Sequence, residues 1–293
     1  NTGAAIVATG DWRRVPNEFA RGHHHVFGPY LYRSEFWSET PEQETERALH
    51  NLERTIQAEG AASIAALLIE TIPGTAGVLV PTPGYLKGVR EIADRYGIML
   101  ILDEVMAGFG RAGEWFAFNA FDVKPDLITF AKGVNSGYIP VGGVIISDPI
   151  AKTFDDRVFP GGLTYSGHPL ASASIVAALD AMEEEGVIEN AKHIGQTVLG
   201  PGLHALKEKH EVIGDVRGMG VFWAIELVTD RKTKTPVPAA DMAKLKADLT
   251  SAGLLPFMAD NRIHVVPPAV VTEEEAKRGL EIIDAVLSAN FKN

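Results

Sequence analysis

Two residues near the middle of the chain can do chemistry together if the fold brings them close. Asp103 closes the apolar run Ile98-Met99-Leu100-Ile101-Leu102, and Lys132 follows Leu127-Ile128-Thr129-Phe130-Ala131, 29 residues further on. An acid at the end of a buried strand is costly unless it has a charged or hydrogen-bonding partner. Asp103 therefore reads either as a strand-end carboxylate capping the next segment or as a carboxylate held against a protonated heteroaromatic nitrogen. Lysine mostly sits on solvated faces. Placed partly out of water, after an apolar strand and before Gly133, Lys132 is suited to act as a nucleophilic amine in Schiff-base chemistry. A third cluster is the turn Gly161-Gly162-Leu163-Thr164-Tyr165-Ser166-Gly167-His168-Pro169, which feeds a helix start. Its hydroxyls and free N–H groups suit a phosphate, although a plain helix-entry loop has the same composition.

These residues need a scaffold that presents strand ends, and the surrounding pattern supplies one. Residues 41–60 are polar and amphipathic behind a Thr40-Pro41-Glu42 start, an N-cap followed by proline at the first helical position. Residues 61–70 form an apolar run ending on Glu70, read as a buried strand. Residues 83–96 read as a helix closed by Gly97. Residues 98–102 are continuously apolar, which suits a sheet covered on both faces. Further strands fall at 127–130 and 143–147. Strands separated by helices predict an α/β sheet, largely parallel, with ligands at the carboxyl ends of its strands. A long alanine-rich helix follows from 171 to 185, then helices over 188–209, 239–252 and 273–289 around a strand at 222–228. The change of character near 179–186 divides the chain into a large domain, 1–182, and a small C-terminal α+β domain, 183–293.

Composition bounds the function. With 46% hydrophobic and 22% charged residues the chain is an ordinary globular protein. A net charge of −11 argues against a nucleic-acid partner, which normally meets a basic surface. No apolar stretch is long enough to span a bilayer. There is no cysteine, so disulfides and thiolate chemistry are excluded, and no signal-peptide pattern is visible. A cytoplasmic enzyme fits these features.

An acid, a lysine and an anion-binding turn together are what a pyridoxal-phosphate site requires. The run Leu102-Asp103-Glu104-Val105-Met106-Ala107-Gly108-Phe109-Gly110-Arg111 resembles the class-III (omega-amino acid) aminotransferases. So do Pro125-Asp126-Leu127-Ile128-Thr129-Phe130-Ala131-Lys132-Gly133, Gly142-Gly143, and Thr164-Tyr165-Ser166-Gly167-His168-Pro169-Leu170-Ala171. The resemblance implies a fold-type-I pyridoxal-phosphate transferase: a mainly parallel sheet with helices on both faces, followed by the small domain. It implies Lys132 as the Schiff-base lysine, moving a proton between substrate and cofactor, and Asp103 as partner of the pyridine nitrogen. It implies Val105 packed on the ring face, Thr164 binding the phosphate of the neighbouring subunit in a homodimer or higher homo-oligomer, and Glu70 in support near the ring. The reaction it implies moves an amino group from an omega-amino acid or amine to pyruvate or another 2-oxo acid. An aminomutase or decarboxylase on the same scaffold is the alternative within this chemistry. A non-catalytic fragment or oligomerisation partner is the alternative outside it.

The chain also departs from the family. The upstream Gly-Ser phosphate loop and the aromatic segment that stacks on the ring are absent, and Asn1-Thr2-Gly3 is expected just after them. Many relatives carry an arginine three residues before a Pro-Pro pair; here His264 precedes Pro267-Pro268, and Arg262 is the candidate for a substrate carboxylate, or else a charge on an edge strand. Gly108-Phe109-Gly110-Arg111-Ala112-Gly113 matches a dinucleotide-binding pattern, but a true fingerprint opens a helix directly after its strand. His23-His24-His25 lacks metal-ligand spacing, so no metal site is expected. Trp115, Phe116, Tyr138 and Trp223 are candidates either for an aromatic neighbourhood of the site or for core.

Overall fold

The computed structural model describes residues 3–17 and 22–291; Asn1 and Thr2 lie outside that range. A short helix α1 (Gly3–Ala8) opens it. Helix α2 (Pro41–Glu59) starts where its cap residues place it, with the Thr40 hydroxyl accepting the N–H of Gln43 and Pro41 at the first helical position. Its buried residues Ala48, Leu52 and Ile56 recur every four positions, so they form one stripe facing inward. Helix α3 (Tyr85–Tyr96) ends at Gly97, whose left-handed backbone (φ 66°) closes the last turn.

The first sheet consists of β1 (Ala66–Glu70), β2 (Met99–Asp103), β3 (Leu127–Phe130) and β4 (Gly143–Ile146), in that spatial order. β1, β2 and β3 are parallel and β4 runs antiparallel to β3. The strand expected over 61–70 begins only at Ala66, because residues 61–63 form a 3-10 turn. Helices α2 and α3 cover one face, packing Leu52, Leu86, Val89 and Ile92 onto Leu100 and Leu102. Side chains alternate along a strand, so Leu68, Glu70, Met99 and Asp103 share the other face. Leu68 and Met99 are 50% and 42% exposed there, and that face is open.

A small helix α4 (Asp148–Lys152) and the long α5 (Pro169–Glu184) follow. The stretch expected as one helix over 188–209 is α6 (Val187–Ile194), a π-turn over Gly195–Leu199, and α7 (Gly200–Lys209). The second sheet is antiparallel, with β5 (Ile213–Met219), β6 (Phe222–Asp230), β9 (Arg262–Val265) and β8 (Phe257–Ala259) side by side, and β7 (Thr235–Pro236) against β6. Helices α8 (Ala239–Ser251) and α9 (Glu273–Asn290) complete it, the latter opened by a capping box between Thr272 and Glu275. Leu203, Ile225, Leu245, Ile263 and Leu287 are among the residues at the centre of its core.

The two sheets meet through backbone. A Cβ built on Gly195 would lie 2.1 Å from the carbonyl oxygen of Gly220, and one on Gly220 would lie 2.4 Å from the backbone of Ala112 and Gly113. The half-buried Arg111 reinforces the contact: its guanidinium reaches the carbonyls of Val221 and Pro267, and its own carbonyl accepts the Val221 N–H at 3.1 Å. The glycines are there because main chain must touch main chain. Gly202, by contrast, would meet only the flexible Leu280 side chain. Gly195→Ala is therefore expected to destabilise the protein by about 3 kcal/mol through overpacking against backbone. Gly202→Ala should be nearly neutral, because the helix-propensity gain of about 1 kcal/mol offsets a small rearrangement. Urea unfolding of the two variants measures the difference.

Candidate active site

The hydrogen-bonded register of the first sheet sets three polar side chains in a row. Glu70 pairs with Asp103 across β1 and β2, and Asp103 with Thr129 across β2 and β3. Partners in a parallel register point to the same face. Asp103 is half-buried; one carboxylate oxygen accepts the Val105 N–H at 2.9 Å, and the other has no hydrogen-bond partner among the described residues. The Thr129 hydroxyl is buried and also lacks a partner. Glu70 accepts the Gly74 N–H at 3.0 Å. By area Glu70 is an exposed residue, but its carboxylate end is crowded. Burial pushes its pKa up and the Asp103 charge adds to that, while the Gly74 N–H and Lys132 pull the other way.

Lys132 opens the 3-10 turn Lys132–Asn135, two residues beyond Phe130 at the end of β3. Its φ of 45° is left-handed, a conformation that costs a non-glycine residue of order 1 kcal/mol and persists only where neighbours enforce it. The neighbours are Val134 and Asn135, both buried; the Asn135 amide donates to the Ile139 carbonyl at 2.8 Å and to Ser174 of α5 at 3.0 Å. Lys132 was expected to be partly buried and is instead exposed, because the sheet face it serves is open.

The structure thus brings Glu70, Asp103, Val105 and Lys132 to one end of the sheet. Two other candidates stand apart. Thr164 lies in an exposed stretch whose neighbours Val158, Phe159, Leu163 and Tyr165 are 91%, 62%, 76% and 83% exposed. Arg262 lies on β9, which runs between β6 and β8 and is not an edge strand. Its guanidinium pairs with Asp260, its Nε is buried without a partner, and its side chain lies against Gly77.

Around Arg262 is a network that sequence reading missed. Glu226, fully buried on β6, accepts from the Tyr30 hydroxyl and from Arg33, and pairs with Arg217 at 3.0 Å. Burial raises the Glu226 pKa, but those hydrogen bonds and cationic neighbours outweigh it and hold the carboxyl below its usual range. Also missed were Thr129 and Glu104, although both sit inside the runs that identify Asp103 and Lys132. The available signal was adjacency: a second polar residue at a buried strand end needs its own partner.

The remaining features fall elsewhere. A groove of about 660 Å³ is lined by Gly113, Gly200, His204, Gly220 and Trp223 among others, but by neither Lys132 nor Asp103. Trp223 therefore borders the junction between the sheets. Phe116 packs with Phe109, and Tyr138 is 81% exposed. The 108–113 glycine pattern forms turns, followed at 117–121 by a short 3-10 helix, and Gly110 and Gly113 lie against Ile188 and Lys192 of α6. His24 faces Glu59 at 3.2 Å.

An α/β sheet that lines up a lysine, two carboxylates and a hydroxyl at its strand ends has the framework of a transferase of Schiff-base type. The family model for class-III aminotransferases matches residues 9–287, and the chain belongs to that family. It is 37% identical over 256 residues to a taurine–pyruvate aminotransferase of Rhodobacter capsulatus, covering 83% of this chain and 55% of that protein. Among solved structures, it matches a taurine:2-oxoglutarate aminotransferase of Bifidobacterium kashiwanohense in complex with PLP and glutamate. That match has a TM-score of 0.93 at 41% identity and covers 98% of this chain and 66% of the other. An (S)-enantioselective omega-transaminase of Thermomicrobium roseum matches with a TM-score of 0.91 at 38% identity, covering 99% and 66%. The chain thus spans a little over half the length of the Rhodobacter relative. No helix among the described residues is long and apolar enough to cross a membrane.

The burial of His264 has a testable consequence. It is 4% exposed, its Nε2 has no partner, and burial together with Arg262 and Arg217 lowers its pKa to about 4. The unfolded chain binds a proton near the ordinary value of 6.5 that the folded chain refuses. Stability from this group is therefore complete above that value and is lost as pH falls toward about 4. Between about pH 7 and pH 4.5, His264→Leu should lose about 2 to 3 kcal/mol less stability than wild type, read from urea unfolding at each pH.

Proposed function

We propose that this chain carries the catalytic half of a pyridoxal-phosphate-dependent transaminase (EC 2.6.1.-), moving an amino group from an omega-amino acid or amine to pyruvate or another 2-oxo acid. The observation that carries the reading is the row Glu70, Asp103, Thr129 at the strand ends, with Lys132 just beyond it. The residues fit the cofactor: one Asp103 oxygen and the buried Thr129 hydroxyl are without partners among the described residues, and the Lys132 amine is exposed on the same open side. When bound, pyridoxal phosphate supplies an electron sink for the bond to the substrate's amino-bearing carbon.

The chain's own residues do the rest. Asp103, steered by the Val105 N–H, would pair with the ring nitrogen and favour its protonated form. Lys132 would hold the cofactor through its Nζ, and the same amine would be the group that takes and returns a proton at the substrate carbon. Val105, half-buried beside Asp103, offers an apolar surface to the ring. Glu70, abreast of Asp103 in the strand register, would support the ring as a hydrogen-bonding neighbour. Arg262 is kept as the candidate for a substrate carboxylate, through the bidentate fork of its guanidinium. The names of the relatives support taurine-like amino acids as donors, and pyruvate or 2-oxoglutarate as acceptor. A cytoplasmic setting, where 2-oxo acids are available, completes the proposal.

A second copy of the chain belongs to the same reading. Val158, Phe159, Leu163, Tyr165 and Leu170 form an exposed apolar stretch of the kind that marks an interface. Covered by a second subunit, this stretch would carry Thr164 to the phosphate of the neighbouring site in a homodimer.

Two experiments on the full-length protein test this. Wild type should give a visible absorbance band with pyridoxal phosphate, lose it on adding taurine or beta-alanine, and regain it with pyruvate. Lys132→Ala should show neither the covalent band nor turnover, a loss on the order of a thousandfold or more; full activity in that variant would sink the proposal. Leu163→Asp should shift the protein toward monomer in analytical ultracentrifugation and weaken cofactor binding with it. A variant that stays dimeric and binds normally would remove Thr164 from the site.

A further inference from the structure

Behind the row of polar strand ends lies a second carboxylate that the transaminase reading does not use. Glu104 follows Asp103 directly, and consecutive side chains at a strand end point to opposite faces. It is fully buried. A buried carboxylate is tolerated only where donors replace its lost water, and Glu104 has three. The Thr71 hydroxyl donates to Oε1 at 2.7 Å, the Phe118 N–H to Oε1 at 3.0 Å, and the Ala117 N–H to Oε2 at 2.9 Å.

Those donors come from two separate elements. Thr71 is the residue after Glu70 at the end of β1, and its own N–H donates to the Asp103 carbonyl at 3.3 Å. Ala117 and Phe118 open the 3-10 turn at 117–121, where Asn119 Oδ1 also accepts the Phe116 N–H at 3.3 Å. The main chain of Glu104 binds two more: its N–H donates to the Thr129 carbonyl at 2.9 Å, and its carbonyl accepts the Gly108 N–H at 3.0 Å. A Cβ on Gly108 would come within 2.9 Å of that carbonyl, so the loop is pressed closely onto it. Each element that frames Asp103 is thus tied to the residue next to it.

We propose that Glu104 is a positioning residue for Asp103: by gathering the Thr71 hydroxyl and the Ala117 and Phe118 amides behind the sheet, it fixes the 103–104 peptide and hence the direction of the cofactor-facing carboxylate. The inference rests on the transaminase reading, because the group that Asp103 faces is the one proposed there. Burial, with the Asp103 charge adding to it, pushes the Glu104 pKa up while its three donors oppose the shift.

A glutamine at this position keeps one acceptor oxygen but turns an NH2 group toward an N–H donor. Glu104→Gln in the full-length protein is therefore expected to bind pyridoxal phosphate about tenfold more weakly, as the loss of one buried partner implies. It should also shift the pH midpoint of the bound cofactor's visible band, a readout that a loss of stability alone would not move. Thr71→Val removes one donor and should shift both quantities in the same direction by less, and Thr71→Ser, which keeps the hydroxyl, should restore them. That pair carries the test if Glu104→Gln does not fold. Variants with lower thermal midpoints but wild-type affinity and spectrum would overturn the positioning role and leave the transaminase reading intact. Absence of a cofactor band in wild type would overturn both.

Discussion

The site depends on a hydrogen-bond register. Parallel pairing of β1, β2 and β3 puts Glu70, Asp103 and Thr129 abreast at the carboxyl ends of their strands and on one face. A slip of one residue in any of these strands would send its polar group to the helix-covered side, where Leu100 and Leu102 pack against α2 and α3. The apolar alternation of the strands is therefore also what aims the chemistry. Packing on one face fixes which residues can act on the other.

Such an arrangement carries electrostatic and conformational costs that sit close together. Two carboxylates, Glu70 and Asp103, lie side by side, and burial, with the Asp103 charge adding to it, pushes the pKa of Glu70 up. Lys132 holds a left-handed backbone that glycine would adopt more easily. The hydroxyl of Thr129 is buried without a partner. A fold selected for stability alone would remove all three. Their concentration at the carboxyl end of one sheet is what supports the proposed site for a charged, hydrogen-bonding group.

Much of this was legible in the sequence because it is local. Thr40-Pro41 and Gly97 are chemical stop and start signals, and helices α2 and α3 begin and end close to them. Asp103 and Lys132 stood out because charged residues rarely end apolar strands. What could not be read depended on distant partners. The interruption after Ile194 arises from the Gly195–Gly220 contact, a meeting across 25 residues that no periodicity announces. Glu226 reads as an ordinary strand residue until Tyr30 and Arg33, nearly two hundred positions earlier, are found around it. The exposure of Lys132 likewise depends on what covers the face above it, and the chain spans only 55% of its Rhodobacter relative.

The same distinction explains why the second sheet bears on a site built on the first. The loop after β1 leaves Glu70 and runs past Gly77, where Arg217 of β5 and Arg262 of β9 press on it; Arg217 donates to the Gly77 carbonyl at 2.7 Å. Arg217 is in turn held by Asp215 and Glu226, so the loop's far end is tied to a buried charge network while its near end holds the Glu70 carboxylate through Gly74. Buried ion networks of this kind add little net stability compared with apolar packing but resist rearrangement, because breaking one pair strands a charge. Their contribution here is geometric: they hold the loop beside Glu70 in a single place. The second sheet therefore acts on the first through the orientation of Glu70 rather than by supplying a group to Lys132.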